Sequence, residues 1–143
     1  FCDEPTSGLS ATDAELCVRS LSNITKMLNV LALVVIHQPR AEVVGLFDTL
    51  VLLTSNPGRV TYHGPMKEAQ TYFWSHGFQL PAGGNPADAF LDLVTPGSSN
   101  DASDELAKVF QSTQAAALEE AAAGAAALAG PSVLDMVAEM QGR

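Results

Sequence analysis

What most constrains the fold is a pair of apolar runs separated by a single helical stretch. The first, Phe1-Cys2, passes directly into Asp3-Glu4 and then Pro5-Thr6-Ser7-Gly8-Leu9; the second, Val30-Leu31-Ala32-Leu33-Val34-Val35-Ile36, is unbroken and rich in β-branched residues. A continuous run of that kind predicts a strand buried on both faces, as in a parallel sheet. Between the two runs, Ala11 to Leu28 alternates polar and apolar residues at helical spacing. Ser10 or Thr12 is placed to cap this helix, and Asp13 and Glu15 in its first turn complement the helix dipole. Strand, helix and strand at this spacing predict a βαβ unit with a right-handed crossover.

Phe1-Cys2 then reads as the last step of a strand that delivers Asp3 and Glu4 to the carboxyl end of the sheet, where open α/β sheets bind ligands. Successive strand side chains point to opposite faces. The two carboxylates can therefore take separate tasks, one holding a metal ion and the other meeting a water. A bare Asp-Glu after two apolar residues reads equally well as a strand end with solvated charges. The second strand ends at His37-Gln38-Pro39-Arg40, one βαβ unit after Glu4. An imidazole there can reach a ligand lying between the strand ends, and neutral imidazole either donates or accepts; a hydrogen-bonded structural His is the plainer alternative.

Composition narrows the partners. The 143 residues carry a net charge of −9, which argues against a nucleic-acid footprint and against a polybasic membrane patch. The longest apolar run, Leu31 to Ile36, falls far short of the roughly 20 residues of a membrane span. Cys2 and Cys17 lack metal-site spacing, and pairing either with His63 or His76 gives no zinc pattern. A buried strand usually runs about 5–6 residues. Only two precede the carboxylates, so the chain reads as a fragment of a longer protein.

Downstream, Arg40 to Phe47 predicts a short helix and Asp48 to Leu53 a strand. The turn Ser55-Asn56-Pro57-Gly58 follows, with Arg59 to Pro65 returning as a hairpin partner. Pro65 opens a further helix with Ala69, Tyr72 and Phe73 on its apolar stripe, Trp74 beside it, and Gly77 at its end; the aromatics read as core. Asn85 caps a helix reaching Val94. Thr95 to Asp101 is a linker by composition. From Ala102 to Ala129 the chain is alanine-rich, strongly helix-forming but poor in buriable area. After Gly130-Pro131, Ser132 to Gln141 predicts a last helix with Val133, Met136, Val137 and Met140 on one side.

Four stretches together, Asp3-Glu4-Pro5-Thr6-Ser7-Gly8-Leu9, His37-Gln38-Pro39-Arg40, Tyr62-His63-Gly64-Pro65 and Asn85-Pro86-Ala87-Asp88, resemble the G subfamily (White-type) of ATP-binding cassette (ABC) transporters. The resemblance covers residues 1–94 and identifies them with the C-terminal part of the nucleotide-binding domain, from Walker B to the H-loop and beyond. It implies an α/β fold, the C-terminal portion of a P-loop NTPase domain with mainly parallel strands, a terminal hairpin and an Ala-rich helical tail. The implied division is 1–94 for this half-domain, 95–101 for a linker and 102–143 for a helical or partly disordered tail.

By the same resemblance the cofactors are ATP and Mg²⁺, Asp3 holds Mg²⁺ through water, and Glu4 is the general base. His37 senses the γ-phosphate with Gln38 beside it, and Ser7, Gly8 and Ser10 form the D-loop at a cassette interface. The implied partners are a second nucleotide-binding domain, in a homodimer, a heterodimer or the same chain, and the transmembrane domain of the same transporter, on the cytosolic face of a membrane.

Three departures qualify this. The chain has no Gly-rich phosphate loop, signature motif or Q-loop, so by itself it is expected not to hydrolyse ATP measurably. Ser10 stands where the family usually has Asp, and the tail has no family motif. Two functions therefore stay open: an ATPase fragment of an exporter of lipids, sterols or xenobiotics, or a degenerate cassette that binds ATP and acts as a regulatory half. A soluble ABC ATPase of translation or DNA repair fits the fold but not His37-Gln38-Pro39-Arg40 or the Asn85 helix.

Overall fold

The computed structural model describes residues 1–55, 57–81 and 83–128. The chain divides into two units, Phe1–Val109 and Phe110–Arg143. Along it run β1 (Cys2–Asp3), α1 (Ala11–Leu28), β2 (Val34–Val35), α2 (Ala41–Val44), β3 (Thr49–Leu53), β4 (Val60–Pro65), a 3₁₀ turn (Met66–Glu68), α3 (Ala69–Ser75), α4 (Pro86–Val94), α5 (Ser103–Thr113) and α6 (Ala115–Leu128). The helix expected over Ser132 to Gln141 and the turn residue Asn56 lie outside the described residues.

The first unit is organised around the β3–β4 hairpin. Its strands pair antiparallel from Thr49↔Pro65 to Leu52↔Tyr62, and the register then slips to Leu53↔Val60. Thr61 is the extra residue of this bulge. Being fully buried, it needs a partner for its hydroxyl, which donates to the Leu52 carbonyl at 3.1 Å. The inner face carries Leu52 and Tyr62 into a cluster with Ala69, Phe73, Phe90, Leu93, Val94 and Leu106. The Phe73 ring lies 5.8 Å from Tyr62 and 5.4 Å from Phe90, centroid to centroid, at tilts that aromatic quadrupoles favour.

The stretch Tyr62-His63-Gly64-Pro65 has a physical basis in this core. The Tyr62 hydroxyl curls over Gly64 and donates to the Pro65 carbonyl at 2.7 Å. A Cβ on Gly64 would lie 2.8 Å from that hydroxyl, so the position needs glycine. Burial first, then the Glu68 carboxylate and the Tyr72 phenol, push the Tyr62 pKa above the usual tyrosine value. Helix α3 ends where expected. Gly77 takes φ +87, its N–H donates to Trp74 O at 3.0 Å, and Phe78 N–H donates to Phe73 O at 2.9 Å, the paired bonds of a Schellman end.

Two expectations about the strands are corrected. The Val30–Ile36 run pairs only at Val34–Val35, and Leu31, Leu33 and Val35 are exposed, Leu31 at 95%. A strand is buried on both faces only when neighbouring strands and covering layers exist on each side. Here β2 meets only the two residues of β1. For the same reason the strands are not mainly parallel. The parallel pair is two residues long, while the longer ladder is the antiparallel hairpin, in a separate two-stranded sheet.

The compositional linker is stitched back onto α4. Thr95 N–H donates to Leu91 O and Ala102 N–H to Leu93 O, each at 2.9 Å, and the Ser98 hydroxyl donates to Asp92 O. Leu106 then joins the hairpin core, and Asp104 forms an ion pair with Arg59 of the hairpin turn. The alanine-rich stretch forms two helices rather than one, with Gln114 between them.

Phe73→Ala leaves a cavity among three aromatic rings and is expected to lower unfolding free energy by about 3–5 kcal/mol in urea melts followed by circular dichroism. Gly64→Ala is expected to cost about 1–3 kcal/mol in the same assay, because the buried Tyr62 ring must move. Asp101 accepts backbone N–H bonds from Gly97 at 2.8 Å and Ser103 at 3.0 Å, and these hold its carboxyl below the usual range. A depressed carboxylate contributes above its ordinary pKa and loses that contribution as pH falls through the lowered value. The Gly97 amide shift is therefore expected to titrate with a midpoint below that of a free aspartate.

Candidate functional site at the β1–β2 edge

The parallel register places the sequence-predicted residues. Cys2 pairs with Val34 and Asp3 with Val35. Cys2 N–H donates to Leu33 O at 2.9 Å, and Glu4 N–H donates to Val35 O at 2.8 Å. Because the strands run the same way, Asp3-Glu4 and His37-Gln38 leave the ladder at one edge. All four are exposed there.

Both strand ends are backbone outliers. Glu4 has φ +43 and Gln38 has φ +46, left-handed values that cost a non-glycine residue on the order of 1–2 kcal/mol. Such strain persists only where the surroundings hold it. On the β1 side, Ser7 N–H donates to Glu4 O at 3.0 Å and Leu9 N–H to Thr6 O at 3.2 Å, winding the chain through Gly8. The Cys17 thiol of α1 donates to Pro5 O at 3.7 Å, tying this turn to the helix. On the β2 side, Asn85 donates its side-chain amide to Pro39 O at 2.7 Å.

Ser10 is the N-cap of α1. Its Oγ accepts from Asp13 N–H at 3.2 Å and donates to Asp13 Oδ2 at 2.7 Å. Ser7, Gly8 and Ser10 thus lie in the turn leading away from the edge, with Ser10 engaged by its own helix.

Among the described residues, no group of three or more His, Cys, Asp or Glu is placed to hold a metal ion. Mg²⁺ needs no such cage, since it takes one or two carboxylates and completes its shell with water and phosphate oxygens. Two exposed carboxylates at a strand end fit an ion that arrives with a nucleotide. Two surface clefts lie elsewhere. One, of about 160 Å³, lies between α1 and the segment before β2; another, of about 500 Å³, is lined by Arg19, Lys26 and Lys67. Neither includes Asp3, Glu4 or His37. Sequence reasoning took Asn85 as a helix cap alone. Its second bond carried no local signal, because Pro39 is 46 residues away.

The family model of ABC-2 type transporters matches residues 37–109. The chain is 42% identical over 99 residues to the broad substrate specificity ATP-binding cassette transporter ABCG2 of Bos taurus, covering 69% of this chain and 15% of that protein. It is 38% identical over 111 residues to ABC transporter G family member 22 of Dictyostelium discoideum, covering 78% and 17%. With ATP-binding cassette sub-family G member 8 of Homo sapiens it shares 41% over 93 residues, covering 65% and 13%. The chain therefore spans about a sixth or less of the length of these relatives.

This finding overturns the expectation that residues 1–94 are the C-terminal half of a nucleotide-binding domain with a P-loop NTPase fold. From His37 onward the chain matches an ABC-2 membrane-domain family instead. Short motifs at strand ends and turns do not separate neighbouring parts of one transporter as a match over 37–109 does. Among the described residues, no helix is long and apolar enough to cross a membrane.

Ser10→Ala is expected to lower stability by about 1 kcal/mol through loss of the α1 cap, whereas Ser10→Asp should keep it within a few tenths. Thermal melts by circular dichroism check both.

Proposed function

The chain belongs to the ABC-2 type transporter family, and from that premise we propose that it is part of an ATP-coupled membrane exporter of the G family type that meets Mg·ATP at the β1–β2 edge. The reading is supported above all by the parallel pairing that brings Asp3, Glu4 and His37 to one edge. The relatives named as ATP-binding cassette transporters add support. The family match begins at His37 and leaves β1 and α1 outside it.

Each residue has a task its chemistry suits. Asp3 accepts from water in the shell of a magnesium ion, which when bound neutralises phosphate charge. Glu4, a carboxylate on the same edge, accepts a proton from the attacking water and orients it. His37 donates from its imidazole to a terminal phosphate oxygen, and Gln38 supplies an amide beside it. The phosphate-cradling amides come from another part of the transporter. A second ABC chain is the partner proposed to complete the site, with the turn through Ser7 and Gly8 facing it. The transmembrane helices of the same transporter are the element driven, and the cargo is a lipid, sterol or xenobiotic.

One observation favours the alternative in which ATP is bound but scarcely turned over. The Ser10 hydroxyl is committed to Asp13 in both hydrogen-bonding senses. It is thus not free to couple two cassettes.

Glu4→Gln in the full-length transporter tests the proposal. Expected is a loss of ATP turnover of about a hundredfold or more, as removal of a general base gives, with nucleotide still bound. Turnover near the parental rate would remove Glu4 from the chemistry. A parent that retains bound ATP yet shows no turnover to lose favours the second reading.

A further inference from the structure

We infer that Asn85 is a positioning residue for the β2 side of the edge, holding the His37–Arg40 turn in place from α4; this rests on the nucleotide reading for its functional consequence, but not for its structural one. The amide orientation follows from its partners. Asn85 Oδ1 accepts from Ala87 N–H at 3.2 Å, and a backbone N–H can only donate. Its Nδ2 must then face the Pro39 carbonyl, which can only accept, at 2.7 Å. One side chain thus caps α4 and clips a segment 46 residues earlier in the chain.

The clip acts where the backbone needs it. A residue before proline is pushed toward extended conformations, yet Gln38, directly before Pro39, sits left-handed at φ +46. Nothing in the intrinsic preference of Gln38 sustains that. Pro39 has no N–H with which to anchor the turn, so its carbonyl is the handle. The anchor is firm, because Phe90, Leu93 and Val94 of α4 are buried in the hairpin core. On the far side of the turn, Val43 and Val44 N–H both donate to Arg40 O at 3.0 Å and start α2. His37 is therefore presented by a turn fixed at both ends.

Two variants of the full 143-residue chain separate the clip from the cap. Asn85→Asp and Asn85→Ser both retain an oxygen that caps α4 but lose the amide donor. Nuclear magnetic resonance reads the intraresidue N–H to Hα cross-relaxation of Gln38, strong only at positive φ. It also reads the response of the His37 imidazole to added Mg·ATP. Expected in both variants is a cross peak weakened by at least about half, since an unheld left-handed residue is disfavoured roughly five- to thirtyfold. The melting curve should be essentially that of the parent chain, with a several-fold weaker His37 response. An unchanged Gln38 cross peak in both variants overturns the inference. If His37 in the parent chain ignores Mg·ATP, the nucleotide reading fails while the Gln38 signal still decides the role of Asn85. Should Asp unfold the protein by its added charge, Ser, which adds none, still decides it.

Discussion

The packing of Phe73 between Tyr62 and Phe90 is the interaction on which the rest depends. It joins the hairpin to α3 and α4, and with Leu106 it draws the start of α5 into the same cluster. From there order is passed along the chain by single contacts. Helix α4 is fixed by its buried face, its N-cap Asn85 grips Pro39, and the turn at Pro39 sets where β2 ends. The β1–α1–β2 part has little core of its own. Val18 is the buried residue of α1, while Leu16, Met27 and Leu28 on the same helix are exposed. The edge carrying Asp3 and Glu4 thus takes its placement from backbone bonds to β2 and from the turn tied to Cys17.

Local signals were legible where a residue's own chemistry decides its conformation. Helix α1 runs Ala11–Leu28 as its periodicity predicts, with Ser10 as the cap, because a hydroxyl before a polar first turn satisfies orphan N–H groups wherever it occurs. The same holds for Asn85 before Pro86, and for Gly77 after α3. What sequence could not supply depended on neighbours far along the chain. Val30–Ile36 reads as a buried strand, but burial needs partners, and β2 shrinks to Val34–Val35 beside a two-residue β1. The Thr61 bulge has no local mark, since its hydroxyl is satisfied only across the hairpin by Leu52. Leu106 looks like one apolar residue in a weakly packing alanine-rich stretch until the Arg59–Asp104 pair and the Ala102–Leu93 bond bring it over the core.

The site divides the same way. That Asp3, Glu4 and His37 reach one edge was readable from the strand, helix and strand order. The left-handed Glu4 and Gln38 were not, because neither is the glycine that announces such a backbone. Placing residues 1–94 in a nucleotide-binding domain followed from motif resemblance and gives way to the ABC-2 type match over 37–109. What remains is an exposed edge of two carboxylates and an imidazole, strained at both strand ends and braced from two sides. Strain braced in this way is expected where geometry serves a ligand.

The most direct test of that edge is paramagnetic broadening with Mn²⁺·ATP in place of the magnesium complex. If one metal–nucleotide lies across both strand ends, the amide signals of Glu4 and His37 should broaden together, with one shared dependence on added complex. Broadening at the acidic Asp101–Glu105 stretch with Glu4 and His37 untouched, or at one strand end without the other, would contradict it.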